Sequence, residues 1–144
     1  MAEAKKRWLK LDNAAKIYPA AKRRRWSSVF RVSVTLSEEI SPLTLKKAIR
    51  RAAKRFPSFF VRLRRGMFWY YFEEVPAPAP EKDDAFPCRR MTRAELSRCA
   101  IRILYYRDRI AVELFHAVTD GNGAMIFLKS LVAEYLRLQY GAEI

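Results

Sequence analysis

The residue best suited to acid–base chemistry is His116, the single histidine of the sequence. It follows directly on an apolar run, residues 110–115, whose period of two is typical of a strand. Side-chain parity predicts that His116 lies on the inward face of that strand, with Val112 and Leu114. A neutral imidazole, whose unperturbed pKa is about 6.5, can accept a proton from a hydroxyl or thiol at neutral pH. His116 is therefore a candidate general base, although a lone histidine beside an apolar face also fits an ordinary core or loop residue.

The loop after His116 carries two further candidate residues, Asp120 and Gly121. A carboxylate four residues after a histidine can bend back toward the imidazole or toward a nearby arginine. Asp120 or Asn122 can also cap the helix that follows, and Gly121 permits the tight backbone of such a turn. An acceptor activated by His116 would attack a thioester directly, so that no serine or cysteine nucleophile is required.

A hairpin and a helix are predicted to hold this loop between them. Residues 101–106 and 110–115 are apolar runs on either side of a short polar turn, which predicts a hairpin. Residues 122–140 have the helical period, and Gly141 ends them. The buried stripe of this helix is predicted to consist of Met125, Leu128, Val132, Tyr135 and Leu136.

The first half of the chain is predicted to form a strand and an amphipathic helix. Residues 26–36 alternate as a strand with one buried face, and Ser41-Pro42 is a helix start that Pro57 closes. The apolar side of this helix comprises Leu45, Ala48, Ile49, Ala52 and Phe56. The outer side is basic and comprises Lys46, Lys47, Arg50, Arg51, Lys54 and Arg55.

An aromatic hairpin and a stiff connector are predicted next. Residues 59–63 and 67–72 are strands around Arg65-Gly66, and their aromatic side chains are expected to contribute to the core. Residues 75–80, with the sequence VPAPAP, form a proline-rich connector. The order of elements predicts an α/β fold, a mixed or antiparallel sheet with helices packed on it.

Composition limits the classes of protein to which the chain can belong. Its 144 residues suffice for one domain, and 51% of them are hydrophobic, which argues against disorder. No apolar run approaches the roughly 18 residues of a membrane helix, and the charged N-terminus lacks a signal-peptide core. The two cysteines, Cys88 and Cys99, are too few for a disulfide framework. We expect a cytoplasmic protein with unpaired thiols and without a structural metal.

The loop and its surroundings resemble a known superfamily of acyltransferases. Residues 115–123, FHAVTDGNG, are similar to the HxxxDG motif of chloramphenicol acetyltransferase, plant alcohol acyltransferases and peptide-synthetase condensation domains. Residues 12–19 resemble the N-terminal segment of bacterial alcohol-acetyltransferase-like members, and residues 43–57 continue the likeness. The resemblance therefore covers most of the chain.

This resemblance implies a fold and a reaction. The fold would be a chloramphenicol-acetyltransferase-like two-layer sandwich. The reaction would transfer an acyl group, with acetyl-CoA as the expected co-substrate and no bound cofactor, to a small alcohol or amine. By the same likeness, His116 would be the general base, Asp120 would be chiefly structural and often paired with an arginine, and Gly121 would shape the loop.

Three departures from the family pattern refine this expectation. Phe115 stands where condensation domains usually have a second histidine, which favours ordinary acyl transfer over peptide-bond formation. The DFGWG motif of the plant enzymes is absent. Members of this kind have two similar halves, so residues 1–144 are expected to be a single N-terminal domain of a longer chain. A C-terminal half, or an oligomer partner as in chloramphenicol acetyltransferase, would complete the site, and the isolated domain is expected to bind substrates poorly.

Two other classes of function fit the sequence. The 29 basic residues against 15 acidic ones give a net charge of +14, which suits an anionic partner. Residues 22–26, 46–55 and 62–70 combine cations with aromatic side chains, as in a nucleic-acid-binding module. No RNP, zinc-finger or helix-turn-helix signature supports that interpretation. The remaining alternative is a non-catalytic scaffold that retains the acyltransferase fold.

Overall fold

The computed structural model of the chain describes residues 8–10, 29–83, 87–89, 91–115 and 118–141. The strands are β1 (Trp8–Lys10), β2 (Val29–Thr35), β3 (Val61–Arg65), β4 (Tyr70–Glu74), β5 (Glu81–Lys82), β6 (Ile101–Tyr106) and β7 (Arg109–Phe115). The helices are α1 (Pro42–Arg55), the single-turn α2 (Arg93–Leu96) and α3 (Gly121–Tyr140), with a 3₁₀ turn at Pro57–Phe59.

Within the described residues, the strands form two sheets. The larger has the order β2-β7-β6-β5, in which β5 runs parallel to β6 and the other neighbours are antiparallel. The smaller has the order β1-β4-β3 and is antiparallel. Helices α1 and α3 pack against each other and share the main core with the larger sheet. The predicted α/β fold, a mixed sheet with helices packed on it, is confirmed.

Helix α1 matches its sequence pattern closely. The Ser41 side chain caps it by accepting a hydrogen bond from the Thr44 N–H at 3.3 Å, and Pro42 occupies the first helical position. The four apolar residues from Leu45 to Ala52 are buried, and all six predicted basic positions are exposed. The helix ends at Arg55 because the residue before Pro57 is disfavoured in the α conformation.

The main core lies between these helices and one face of the larger sheet. Ile103, Val112 and Leu114 are fully buried there against the helices. The Ser41 N–H donates a hydrogen bond of 2.8 Å to the buried Tyr135 hydroxyl, which ties the start of α1 to α3. No helix among the described residues is long and apolar enough to cross a membrane.

The predicted stripe of α3 is partly wrong, because Met125 is 39% exposed. The most buried positions are Ala124, Phe127, Leu128, Leu131, Glu134 and Tyr135. Residues 124–128, AMIFL, are consecutive apolar residues, so periodicity could not select the inward face of this part of the helix. Phe127 is selected by its ring contacts with three phenylalanines around the end of α1, Phe56, Phe59 and Phe60.

The aromatic hairpin is present, but its predicted second strand starts too early. Strand β4 begins at Tyr70, and Met67, Phe68 and Trp69 lie in the exposed turn rather than in the core. Phe72 is buried as expected. Residues 75–80 have no regular secondary structure, in agreement with the predicted connector.

Candidate active site

Strand β7 leads the chain into the candidate active site. It lies between β2 and β6, and its residues from Ile110 to Phe115 are buried. The predicted inward residues Ile110, Val112 and Leu114 do face the helices, as members of the main core. A strand bordered on both sides and buried on both faces provides a rigid base for the loop that follows.

The chain turns immediately after β7. The Phe115 N–H donates to the Ala100 carbonyl oxygen at 2.9 Å, and the Val118 N–H donates to the Phe115 carbonyl oxygen at 2.9 Å. His116 and Ala117 lie outside the described residues, so the predicted inward position of the imidazole stays a prediction. Val118 is partly buried and packs against both apolar clusters of the fold.

Asp120 caps helix α3. Its Oδ1 accepts a hydrogen bond from the Gly123 N–H at 2.8 Å, and its carbonyl oxygen accepts one from the Ala124 N–H at 3.0 Å. A carboxylate at this position satisfies a helix N–H and interacts favourably with the positive end of the helix dipole. The structure shows no ion pair between Asp120 and an arginine in the part of the chain that it describes, so the family-type pairing stays a prediction.

The closest approach to a glycine of the loop is at Gly123. A Cβ atom added there would lie 2.1 Å from Thr119 Oγ1, so the Thr119 side chain would have to rotate away. At Gly121, an added Cβ would meet no atom of the described residues within 4 Å, and the backbone is already helical. The sequence pattern predicted a tight backbone at Gly121 and indicated no role for Gly123. A glycine in the first turn of a helix is unfavourable by itself, and this was the available signal.

Neither cysteine is activated as a nucleophile. Burial raises the pKa of the Cys99 thiol. Partial desolvation and the nearby Glu113 carboxylate raise the pKa of the Cys88 thiol. Reactive cysteines have a lowered pKa, so these two do not suggest a covalent acyl-enzyme.

The face of β7 opposite the helices carries an ionic ladder. Arg31, Glu113 and Arg102 occupy register-matched positions on β2, β7 and β6. Glu113 is only 1% exposed, and its Oε2 accepts a hydrogen bond from Arg31 Nε at 3.0 Å. Its other carboxylate oxygen lies 3.0 Å from Arg102 Nη2. Glu113 lies three residues before His116, so the ladder ties the strand that leads into the loop to both of its neighbouring strands.

Asp83 extends this ladder. It accepts two hydrogen bonds from Arg31, at 2.8 and 3.0 Å, and one from Arg109 at 3.0 Å. The hydrogen bonds from Arg31 lower the pKa of Asp83 below its usual range. At the other end, Arg102 donates to Glu95 at 3.0 Å. Charged residues within otherwise apolar strands are the sequence signal that could have indicated this cluster.

No metal centre is found among the residues that the structure describes, since no group of three histidine, cysteine or acidic side chains could hold an ion there. An apolar groove of about 360 Å³ runs between β2 and α3. Val34, Leu128 and Val132 line it, together with the Met125 side chain that was predicted to be buried. The groove thus begins one helical turn after the motif loop.

The likeness of this chain to known proteins is found in its fold and not in its sequence. No protein-family model and no curated protein sequence matches the chain. The fold, by contrast, is that of the N-terminal part of condensation domains from peptide synthetases and of a related polyketide-synthase-associated protein.

Three solved proteins illustrate this structural likeness. The starter condensation domain of rhizomide synthetase RzmA matches 95% of the chain with a TM-score of 0.69 and 12% identity. A variant of that domain in complex with C8-CoA and Leu-SNAC matches with a TM-score of 0.72 and 12% identity. The X-domain in complex with OxyB from teicoplanin biosynthesis matches 97% of the chain with a TM-score of 0.70 and 15% identity. Polyketide synthase associated protein 5 from Mycobacterium tuberculosis matches 91% with a TM-score of 0.65 and 16% identity.

The chain spans less than half of these solved chains. It covers 39% of the rhizomide domain, 35% of the teicoplanin chain and 32% of the mycobacterial protein. At this level of identity the likeness defines a class of fold, half of a condensation-type sandwich, and leaves the activity to be argued from the residues.

Proposed function

We propose that this protein transfers an acyl group from a CoA thioester to an alcohol or amine, with His116 as the general base. The supporting observation is that the HAVTDG segment, residues 116–121, connects in sequence the buried strand β7 to helix α3, which Asp120 caps. This arrangement occurs in a fold matched along 95% of the chain by a condensation domain.

The proposed reaction needs only one proton carrier. The His116 imidazole takes the proton from the acceptor hydroxyl or amine, whose oxygen or nitrogen attacks the thioester carbonyl carbon. The tetrahedral intermediate collapses with cleavage of the carbon–sulfur bond. The imidazolium then returns its proton to the leaving CoA thiolate, and histidine is regenerated. The raised pKa of both thiols agrees with direct transfer without a cysteine nucleophile.

Two observations support a CoA donor and a non-peptide acceptor. The structurally similar rhizomide domain has been crystallised with an acyl-CoA. Phe115 replaces the second histidine that condensation domains usually carry. In this proposal acetyl-CoA is the donor. The remainder of the condensation-type fold, which these residues do not cover, completes the substrate site and is supplied by the same protein or by a partner.

The test of the base is CoA release. The longest natural chain containing these residues is given acetyl-CoA and octanoyl-CoA with a panel of alcohols and amines, and free thiol is measured. We expect acceptor-dependent release that His116→Ala lowers by about 10² to 10⁴-fold, with an unchanged melting temperature. Turnover within a few-fold of the parent protein would remove His116 from the mechanism, and a folded protein inactive with every donor would contradict the proposed function.

Asp120 offers a matched pair of variants. Asp120→Ala removes the hydrogen bond to the Gly123 N–H, so we expect a loss of about 1 kcal/mol of unfolding free energy together with a lower rate. Asp120→Asn can still cap and is expected to retain stability. If the carboxylate also pairs with an arginine, the Asn variant will lose activity while keeping its melting temperature. An unchanged melting temperature in the Ala variant would contradict the structural role.

A second candidate function is that of a docking module without catalysis. The X-domain match favours it, because that domain was crystallised in complex with another protein, OxyB. This alternative predicts binding to a protein partner that His116→Ala leaves unchanged and no CoA release by any preparation.

A further inference from the structure

The turn of the β3–β4 hairpin exposes three consecutive large apolar side chains. The Gly66 N–H donates to the Trp69 carbonyl oxygen at 2.8 Å and closes the turn. Met67 and Phe68 are its two corner residues and are 92% and 82% exposed, while Trp69 is 50% exposed. Hairpin turns usually carry glycine and polar residues at these positions, so three exposed apolar residues are unusual for such a turn.

The other hairpin of the fold shows the usual arrangement. Its turn between β6 and β7 carries Arg107 and Asp108. The carbonyl oxygens of these two residues accept hydrogen bonds of 2.7 Å from the N–H groups of Ile40 and Leu36, respectively. These backbone hydrogen bonds and the polar side chains account for the conformation of this turn without a binding partner. The apolar turn at Met67 and Phe68 is different in composition and in exposure.

The apolar turn has a defined shape. A Cβ atom at Gly66 would lie 2.8 Å from the Trp69 carbonyl oxygen, so only glycine permits this closure. The Phe68 and Trp69 rings pack beside each other, with centroids 6.1 Å apart and planes inclined by 39°. A turn closed in this way presents its apolar corner outward.

Two arginines lie behind the apolar corner. Arg65 ends β3, and Arg93 begins α2. Both line a depression of about 170 Å³, whose other walls include Leu63 and Tyr70. Among the residues that the structure describes, neither arginine forms an ion pair. The depression is therefore a basic site at the base of the hairpin.

We propose that this hairpin inserts into the surface of a bilayer that contains anionic phospholipids. Met67 and Phe68 reach the acyl region, Trp69 and Tyr70 lie at the headgroup level, and Arg65 and Arg93 contact lipid phosphates. The order apolar, aromatic, cationic along the hairpin is the order of environments across a bilayer interface. The net charge of +14 adds long-range attraction to an anionic surface.

The geometry favours a bilayer over single-stranded nucleic acid. Base stacking uses aromatic rings displayed as flat platforms. Here the two rings are inclined to each other, and the most exposed side chain is Met67, which has no ring. Cations and aromatic residues occur in both kinds of site, so the experiment includes an oligonucleotide.

The test is vesicle cosedimentation with the longest natural chain. Vesicles of phosphatidylcholine, with and without phosphatidylglycerol, are compared at low and high salt, and binding of a single-stranded oligonucleotide is measured in parallel. We expect binding to the anionic vesicles that weakens with salt, and a loss of at least about tenfold in affinity for the double variant Met67→Ser/Phe68→Ser. The variant Arg65→Gln/Arg93→Gln should lose the salt-dependent part of the binding.

Leu43→Ser is the matched control, since Leu43 is 66% exposed on α1 and outside the hairpin. It should bind vesicles like the parent protein, and all variants should keep the parent melting temperature. A folded chain that binds neither kind of vesicle overturns the proposal, as does an equal loss in the Leu43 control. Vesicle binding that the hairpin variants leave unchanged, with loss only of oligonucleotide binding, assigns the hairpin to nucleic acid instead. These outcomes do not depend on acyl transfer.

Discussion

The two faces of the larger sheet are both buried around β7, but by different chemistry. Toward α1 and α3, side chains such as Val112 and Leu114 are fully buried among apolar neighbours. On the opposite face, Glu113 lies between Arg31 and Arg102, within hydrogen-bonding distance of both. Adjacent residues of one strand, Val112 and Glu113, therefore belong to environments of opposite polarity.

The two faces should therefore lose stability in different ways when a single side chain is removed. Apolar burial is a sum of small contributions, so a truncated side chain removes part of it and leaves a cavity. A buried ion pair contributes little net stability, but the loss of one partner leaves an unmatched charge that water cannot reach. We expect the ionic face to be the more sensitive of the two to a single substitution.

Removal of the central carboxylate should have the largest effect. Glu113→Ala removes the carboxylate that Arg31 and Arg102 share and leaves the buried Arg102 with Glu95 and Arg31 with Asp83, so we expect a loss of about 3 to 4 kcal/mol in the unfolding free energy. Denaturant unfolding at neutral pH measures it. Glu95→Ala, at the more exposed end of the ladder, is the control and should cost about 1 kcal/mol. Similar losses in the two variants would contradict the difference between the centre and the end of the ladder.

Truncation on the apolar face should have a somewhat smaller effect. Leu114→Ala removes buried methyl groups between β7 and the helices, and we expect a loss of about 3 kcal/mol. Leu114→Met conserves most of the volume and should cost less than about 1.5 kcal/mol. If Leu114→Ala proved more damaging than Glu113→Ala in the same unfolding experiment, the expected order of the two faces would be reversed.

Acid should reduce the contribution of the ionic face to the unfolding free energy and leave the contribution of the apolar face unchanged. The pKa of Asp83 is lower in the folded protein than its value of about 3.9 in an unfolded chain, so its stabilising contribution is complete above about pH 4. That contribution is lost as the pH falls through the folded-state pKa. We expect the unfolding free energy of the parent protein to fall more steeply below pH 4 than that of Asp83→Asn. Parallel curves for the two proteins would show that Asp83 does not couple protonation to folding.

Local patterns predicted the elements that depend on neighbouring residues in the chain. Ser41, Pro42 and the helical spacing from Leu45 to Ala52 specify α1, because caps and amphipathic faces act within one or two turns. The hairpin around residues 107–109 and the cap at Asp120 follow from equally local rules. The likeness to condensation-type acyltransferases also rested on contiguous residues, the motif at 116–121, and the fold comparison supports it.

The sequence by itself thus determined the type and order of the larger elements from β2 to α3 and the candidate motif, but not the short elements β1, β5 and α2. Only the tertiary structure decided which side of α3 is buried, where the partners of Glu113 lie, and that Met67 and Phe68 point away from the core. Arg31 and Glu113 are 82 residues apart in the chain, so no local pattern can pair them. The physical reason is that burial and ion pairing depend on contacts between distant segments, whereas capping and periodicity depend on the backbone within a few residues.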